Sequence, residues 1–270
     1  WVVTGYNSSN YEGYVGEFLE ADVEAGALQV DGALGVGSLT VHEGATLAGD
    51  GTIDSLLFTV FNGGNVAPGP VDCEGVECIG ELTINGTFRN YSGTVVDEQT
   101  SGNLAIDMIG AQCEVEAAND VLNVWLDDTA VFGDEGVDGG TVTPNLLGSL
   151  TEGRYTFLYA DNLLVYEAPE LVFDSVLLNL ALGYDEDPAE GDDSMWIDVT
   201  RNQVKDVTGS SNDQSLYDAL LELAADCEGG FCDEAQEVID LLDQMDDGDD
   251  ISDALSGLSP EQYPNLLDIS

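Results

Sequence analysis

Short runs of alternating apolar and polar residues, broken by glycine at close intervals, dominate the first third of the chain. The clearest are GATLAGDGTI at 44–53, FNGGNVAPG at 61–69 and IGELTINGTF at 79–88. Alternation over a few residues is typical of a β-strand with one buried face. This pattern favours a chain that coils and lays each strand beside the previous one, since one coil cannot bury its own apolar face.

The same pattern extends upstream, in ALQVDGAL at 27–34 and SLTVHEGATL at 38–47. Turn-forming dipeptides separate the runs: Asp31-Gly32, Asp50-Gly51 and Asn85-Gly86. Taken singly, these dipeptides indicate hairpins. Taken together, at spacings of roughly twenty residues and with no helical pattern between them, they fit the corners of a solenoid better. An antiparallel sandwich is the alternative.

From about residue 91 to 202 the predicted strands are longer and richer in aromatic residues. They are NLAIDMIG (103–110), DVLNVWLDD (120–128), RYTFLYA (154–160), LVFDSVLLNLALGY (171–184) and SMWIDVT (194–200). We expect aromatic side chains here to fill a bulky core rather than to form a binding stripe. The residues expected in that core are Trp125, Tyr155, Phe157 and Trp196. Because a solenoid needs a distinct end to close its last coil, we interpret this segment as a β cap.

A helical pattern begins at about residue 203. Residues 212–227 place Leu216, Leu220 and Leu223 on one helical face, with Ser211 or Asp213 as the candidate N-cap. The sequence predicts that Gly229-Gly230 separates this helix from the next.

The second predicted helix covers 233–247 and ends at Gly248. Its apolar residues are Val238, Leu241, Leu242 and Met245. Ser259-Pro260-Glu261-Gln262 has the form of a capping box and predicts a short last helix. The segment therefore packs as a helical hairpin or acts as a tether. The predicted organisation is 1–90 coils, 91–202 cap and 203–270 acidic helical linker.

Charge excludes two classes of partner. Four basic residues accompany 54 acidic ones among 270, a formal net charge of −50. Nucleic acid and anionic membrane are poor partners for such a surface. Since 43% of the residues are hydrophobic, a large core can form. We attribute the acidity to a saline habitat, with loosely bound calcium as the alternative.

Membrane insertion by this chain is not expected. No apolar run approaches the roughly 18 residues that a membrane helix needs. No signal-peptide pattern follows Trp1, so we expect a mature fragment.

Cysteine usage indicates small disulfide loops. Cys73 and Cys78 lie in DCEGVEC, and Cys227 and Cys232 lie in DCEGGFC, with the same spacing. We expect each pair to form a disulfide in an oxidising, exported setting. A zinc site of four thiolates is the alternative. Cys113 is left over, either buried in the core or joined to another molecule.

The order of these segments resembles the C-terminal end of autotransporter passengers, the exported parts of type V secretion proteins. The similarity runs through ALQVDGALGVGSLTVHEGATLAGDGTIDS with GGNVAPGPVDCEGVECIGELTINGTF, TEGRYTFLYAD, YDEDPAEGDDSMWIDVTRN and LSPEQYPNLL. The resemblance implies a right-handed parallel β-helix, an autochaperone cap that folds first outside the cell, and a helical linker that precedes an outer-membrane β-barrel. The chain departs from the family in its insertion carrying Cys73 and Cys78, and it stops at Ser270 where a barrel would begin.

Catalytic, cofactor-binding and metal-ligating residues are not expected. Arg89, Arg154 and Arg201 are scattered, and His42 alternates outward on a predicted strand. No nucleophile elbow, phosphate loop or zinc-protease motif is present in the sequence. DEGVDGG at 134–140 and DDGDD at 246–250 resemble calcium loops only loosely, and we interpret them as solvated turns.

We therefore expect a secreted, non-enzymatic protein at the surface of a Gram-negative bacterium: the structural or adhesive stem of a passenger, joined in cis to a β-barrel translocator. A self-assembling fibre subunit is the alternative, with stacking of open ends into a homopolymer. A polysaccharide-active enzyme on the same fold is the weaker alternative.

Overall fold

The computed structural model describes residues 2–3, 6–7, 20–71, 73, 75–90, 92–95, 98–110, 117–134, 137–185, 193–225 and 232–258. The protein is mainly β, with many parallel strands in two large sheets and a C-terminal group of helices.

Nine strands precede residue 70 in the described part of the chain. They are β1 (Val2–Val3), β2 (Tyr6–Asn7), β3 (Glu20–Val23), β4 (Gly26–Val30), β5 (Ala33–Gly35), β6 (Ser38–Val41), β7 (Ala45–Gly49), β8 (Thr52–Asn62) and β9 (Asn65–Pro68). A 3₁₀ helix, Gly75–Cys78, follows. The later strands are β10 (Glu81–Asn90), β11 (Ser92–Val95), β12 (Glu98–Ser101), β13 (Asn103–Ile109), β14 (Ala118–Asn119), β15 (Val121–Phe132), β16 (Thr141–Leu146), β17 (Gly153–Val165), β18 (Glu170–Leu171), β19 (Leu178–Asp185) and β20 (Asp193–Arg201).

Strand order in the first sheet follows order along the chain. Its spatial order is β1, β4, β7, β9, β13, β16, β18, and every one of these neighbours is parallel. Among the strands of the described residues, only the short β14 joins this sheet antiparallel, against β13. Parallel neighbours need long crossover connections, and here the connections carry the strands of the second sheet.

The second sheet repeats this order and then changes direction. Strands β2, β5, β8, β10, β15 and β17 are parallel neighbours, while β20 and β19 continue the sheet in antiparallel pairing. Strand β6 pairs in parallel with both β3 and β8. Strands β11 and β12 form a separate antiparallel pair.

The long strands of the second sheet change register midway. In β10 the pairing with β8 shifts between Asn85 and Thr87. Asp31-Gly32 and Asp50-Gly51 lie between strands, as the sequence predicts. Asn85-Gly86, by contrast, lies inside β10 at this irregularity and does not end the strand. The dipeptide therefore marks a bulge within a strand rather than a break between strands.

Both sheets contribute to one apolar core. In β10 every second residue is buried, and Leu82, Ile84 and Phe88 have no exposed area. Leu47 and Leu104 enter the same cluster from the first sheet. The period-two burial explains why alternation in the sequence located these strands correctly.

Polar side chains also stack between neighbouring parallel strands. Asn103 donates from Nδ2 to Oδ1 of Asn65 at 2.8 Å, and its own Oδ1 accepts from the hydroxyls of Thr141 at 2.7 Å and Thr143 at 2.9 Å. Asn65, Asn103 and Thr141 lie in register on three adjacent strands. These bonds tie strands together that are about 38 residues apart in the chain.

Close backbone approach fixes one glycine in the turn before β9. A Cβ atom on Gly64 would lie 2.2 Å from the carbonyl oxygen of His42, in the preceding turn of the same edge. Any larger residue at this position would force the two backbone segments apart.

Four helices follow β20 in the described part of the chain. They are α1 (Val204–Thr208), α2 (Ser211–Ala225), α3 (Cys232–Asp243) and α4 (Gly248–Gly257). The predicted helices at 212–227 and 233–247 correspond to α2 and α3. The predicted N-cap was wrong, because the hydroxyl of Ser210 accepts from the N–H of Asp213. The predicted helix that opens at Ser259 lies outside the described residues.

The helices share a second apolar cluster. Tyr217 and Leu220 of α2 pack with Ile239 and Leu242 of α3 and Leu255 of α4. Leu216, Leu223, Val238 and Met245 pack against it as partly buried residues. Leu241, which the sequence pattern assigned to the apolar face of its helix, is instead 63% exposed.

Candidate functional site

The cap residues singled out from the sequence fall into two environments. Tyr155 and Phe157 of β17 belong to the apolar core, with Phe157 fully buried. Trp125 and Trp196 are only half-buried and lie outside the buried cluster. In β20 the side chains of Met195 and Ile197 point into the core, so strand alternation places Trp196 on the opposite face.

Trp196 is held between strands on that outer face. Its ring crosses Gly183 of β19, where an added Cβ would lie 2.5 Å from the indole. The guanidinium carbon of Arg154 lies 3.9 Å from the centre of the same ring. The indole Nε1 donates to Oδ2 of Asp198 at 3.0 Å. The tryptophan is thus packed between a glycine and a cation, which is a cross-strand contact rather than an open aromatic platform.

Asp198 completes this outer cluster. Arg154 of β17 donates from Nε to Oδ1 of Asp198 at 2.9 Å and from Nη2 to Oδ2 at 3.2 Å. The hydrogen bond from Arg154 lowers the pKa of Asp198, and the bond from Trp196 acts in the same direction. Both charged side chains are about half exposed, so the pair links β17 to β20 with little net stabilisation.

A buried ion pair joins the last strand to the helices. Arg201, the final residue of β20, donates from Nη2 to Oδ2 of Asp243 in α3 at 2.8 Å and to the carbonyl of Leu150 at 2.8 Å. Its Nη1 donates to Oδ1 of Asp243 and to the hydroxyl of Tyr217 in α2. The Asp243 side chain has no exposed area. One guanidinium therefore connects the sheet, α2 and α3.

Electrostatics keep this arginine charged. Burial opposes its charge, but the hydrogen bond and the charge of Asp243 outweigh that effect, so the pKa of Arg201 is raised. Burial and the nearby Asp243 also raise the pKa of Tyr217, which stays neutral and donates to Asp243 at 3.3 Å. The carboxylate is thereby bound by three donors, as a buried charge requires.

Further contacts extend this interface, which we call the C-terminal junction: Ser149, Leu150, Leu177, Arg201, Tyr217, Gln236, Asp240 and Asp243. The N–H of Ser149 donates to Asp240 of α3, and Gln236 donates to the Ser149 hydroxyl and to Asp240. Leu177, which precedes β19, is fully buried in the helical cluster. The helices therefore pack on the end of the sheets, as a bundle and not as an extended tether.

Cys73 and Cys78 form a disulfide, which confirms the pairing predicted for these two cysteines. The buried carboxylate of Asp120 accepts from the N–H of Gly80 and from the N–H of Asp107, each at 2.8 Å. Burial raises the pKa of Asp120 to about 8, although both backbone donors lower it. Asp120 thus ties the start of β10 to β13.

The remaining sequence candidates are distributed over the molecule. His42 is part-exposed, with Nε2 3.1 Å from Oδ1 of Asp22. Cys113 and Cys227 lie outside the described residues, and Cys232 begins α3. In the acidic run at 246–250, Asp247 caps α4 by accepting from the N–H of Asp249 at 2.7 Å. That run therefore has a local structural role as the start of a helix.

Sequence reasoning missed the C-terminal junction. Arg201 stood out only as one of four basic residues, and its partner Asp243 is one of 54 acidic residues, 42 positions away. The only available signal was the rarity of arginine in so acidic a chain.

None of the helices in the described residues is long and apolar enough to cross a membrane. No protein-family model, curated protein or solved structure matches the chain.

Proposed function

We propose that the chain is the non-enzymatic structural or adhesive stem of an autotransporter passenger, and that its C-terminal strands start the folding of the stem during export. The two sheets of parallel strands, the second of which ends in antiparallel strands, carry this proposal, together with the sequence resemblance. Strands β19 and β20 continue the second sheet only after five successive parallel pairs.

We further propose that the parallel strands form a right-handed β-helix. Along the main path of the first sheet, from β1 to β18, each strand pairs in parallel with the next strand on that path, which also follows it in the chain, and the path from β2 to β17 in the second sheet does the same. The connections between neighbours in one sheet carry the strands of the other, as a coiling chain requires. Parallel crossovers are right-handed in nearly all proteins, which supports that hand.

Side-chain ladders support stacked coils as well. Asn65, Asn103 and Thr141 occupy equivalent positions on three adjacent strands and hydrogen-bond to one another. Equivalent positions that pair in register are the expected result when one structural unit is repeated along an axis.

The antiparallel strands and the helices have the properties of a cap. A stacked parallel structure leaves an open edge at its last coil, which invites pairing with other chains. Here β20 pairs with β17, and the buried carboxylate of Asp193 accepts from the N–H of Leu163 at 2.7 Å. The C-terminal junction then covers the end of the sheets with helices.

The surroundings of the basic residues support a role without catalysis. A lyase would need a basic group positioned for proton abstraction. Arg154 is paired with Asp198, and Arg201 is paired with Asp243 inside the junction. The net charge of −50 supports an extracellular position in a saline habitat, where salt screens repulsion between coils.

Refolding kinetics of the whole chain test the proposed folding order. Phe157 in β17 and Leu47 in β7 are both fully buried in the same core, so alanine at either position should cost about 2–5 kcal/mol. If the C-terminal strands fold first, Phe157→Ala slows refolding, whereas Leu47→Ala mainly accelerates unfolding. Equal or greater slowing by Leu47→Ala would contradict the proposal.

Surface display tests the export role separately. With the chain placed before an outer-membrane β-barrel, Phe157→Ala should lower the amount of protease-accessible chain at the cell surface more than Leu47→Ala does. Unchanged display of the Phe157 variant would count against a nucleating cap. Fibres of the purified chain at high salt or with calcium would favour a self-assembling subunit instead.

A further inference from the structure

The segment between β9 and β10 leaves the sheets and returns at almost the same point. Gly69 and Gly80 pack against each other at its two ends, where a Cβ on Gly80 would lie 2.2 Å from the Cα of Gly69. Within it, Cys73 and Cys78 are joined by a disulfide, with their Cα atoms 5.2 Å apart. The two sulfur atoms are therefore held together beside the first sheet.

Asp107, from the middle of β13, faces these sulfur atoms. One carboxylate oxygen of Asp107 and the Sγ atoms of Cys73 and Cys78 all lie within 4.8 Å of one another. Cys78 is buried, and the other two residues are half-buried. Asn145 of β16 donates from Nδ2 to Oδ1 of Asp107 at 2.7 Å, which fixes the orientation of the carboxylate.

We propose that, when the disulfide is reduced, Cys73, Cys78 and Asp107 bind a thiophilic divalent cation such as Zn²⁺. Two thiolates and one carboxylate are a donor set that zinc accepts, and a water molecule can occupy the fourth tetrahedral position. Asn145 then acts as the outer partner that orients a ligating carboxylate. This inference does not depend on the proposed export function.

The redox step is an ordinary exchange with a dithiol. The dithiol transfers two electrons and two protons, so the Cys73–Cys78 bond breaks, two thiols form, and the reductant becomes a disulfide. Binding of the cation then displaces the two thiol protons. The two oxidation states therefore exclude each other: the disulfide has no thiolates to offer, and the metal-bound form cannot re-form the sulfur–sulfur bond without releasing the cation.

The two states also differ in what they connect. The disulfide closes only the short segment between β9 and β10 on itself. A cation held by Cys73, Cys78 and Asp107 would in addition join that segment to β13. The reduced, metal-bound form would therefore gain a link between segments that the oxidised form lacks.

Metal binding to the full chain tests this proposal. A background in which Cys113, Cys227 and Cys232 are serine leaves Cys73 and Cys78 as the only thiols. Zinc titration after reduction with a phosphine, and cobalt(II) absorption as a reporter of thiolate ligation, measure the site directly. Asp54→Asn is the matched control for Asp107→Asn, because each carboxylate accepts a 2.7 Å bond from an asparagine on the next strand.

We expect one equivalent of zinc in the reduced background protein and none in its oxidised form. Asp107→Asn should weaken binding roughly tenfold or more, since even outer partners of metal ligands change affinity 10–100-fold. Asp54→Asn should leave it unchanged, and Cys73→Ser with Cys78→Ser should abolish the cobalt–thiolate band. A reduced protein that binds no zinc, or binding that Asp107→Asn leaves intact, would overturn the proposal. If Asp107→Asn does not fold, Asn145→Ala, which removes the outer partner of Asp107, takes its place, and zinc affinity that Asn145→Ala leaves unchanged would overturn the proposal.

Discussion

Asn62 and Asn90 lie opposite each other on the adjacent parallel strands β8 and β10, and Nδ2 of Asn62 donates to Oδ1 of Asn90 at 2.6 Å. Both side chains are fully buried. Nδ2 of Asn62 also donates to the carbonyl of Asn103, and Nδ2 of Asn90 donates to the carbonyl of Gly139. The two side-chain amides therefore give hydrogen-bond partners to backbone groups in the interior, among them the carbonyls of Asn103 and Gly139.

Removal of one amide from this pair should destabilise the protein. Asn62→Ala leaves the N–H of Gly64 and the carbonyl of Asn103 without these partners, at a cost of about 1–3 kcal/mol. Asn179→Ala is the control, because Asn179 is exposed and donates to Asn202. Urea unfolding should show a lower midpoint for Asn62→Ala than for Asn179→Ala. Equal midpoints would show that the pair adds nothing to stability.

Removal of one partner of the ion pair in the C-terminal junction should lower the free energy of unfolding. Arg201→Met leaves the fully buried carboxylate of Asp243 without its counter-ion, and about 3–5 kcal/mol of unfolding free energy should be lost. Arg154→Met, at the exposed pair with Asp198, should lose far less, because solvent screens an exposed ion pair. Combining Arg201→Met with Asp243→Leu should cost less than the sum of the two single changes. Additive losses in urea unfolding would argue against direct coupling.

Two glycines separate the effect of close approach from that of backbone conformation. At Gly64 a Cβ would meet the carbonyl of His42 at 2.2 Å, whereas at Gly44, where φ is +80°, nothing lies within 4 Å of an added Cβ. Gly64→Ala should therefore push two backbone segments apart and lower the thermal midpoint more than Gly44→Ala does. Gly44→Ala should cost only the left-handed strain, about 1 kcal/mol. The reverse order would show that the edge can open to admit a methyl group.

Acidic pH should remove the cost of burying the Asp240 carboxylate where α3 contacts Ser149. Burial raises the pKa of Asp240, partly offset by Gln236 and the N–H of Ser149. Because the pKa of Asp240 is higher in the folded than in the unfolded protein, its contribution to stability is greatest below its ordinary pKa of 3.8, where both states are protonated. That contribution is lost as the pH rises through the pKa of the folded protein. Asp240→Asn should therefore gain in stability relative to the parent between pH 4 and pH 8, in urea unfolding at each pH. A stability difference between Asp240→Asn and the parent that stays constant over this pH range would contradict the prediction.

Strand positions could be predicted because their signal is local. Leu82 and Ile84 alternate with polar residues, and a strand with one buried face imposes that period directly. Asn85-Gly86 was misread because the dipeptide suits a hairpin turn and a bulge within a strand equally well. The choice between them depends on the neighbouring strand, which the local sequence does not specify.

Helix ends and the C-terminal junction were harder to predict. Gly248 was expected to end a helix. In the structure Asp247 is the N-cap of α4, and Gly248 is the first residue of that helix. A glycine preceded by aspartate fits either side of a helix boundary. For Arg201 the difficulty was choice of partner: 54 acidic residues are equivalent candidates until the tertiary packing places Asp243 beside it.

The position of Arg201 has a mechanical consequence. It is the last residue of β20, and its guanidinium binds Asp243 in α3 and Tyr217 in α2. Tension applied at the C-terminal end of the chain would reach the sheets along two routes, through the backbone between β20 and α1 and across this ion pair. The helices would then share the load with the final strand, and rupture would have to break the buried pair before the strands could peel apart.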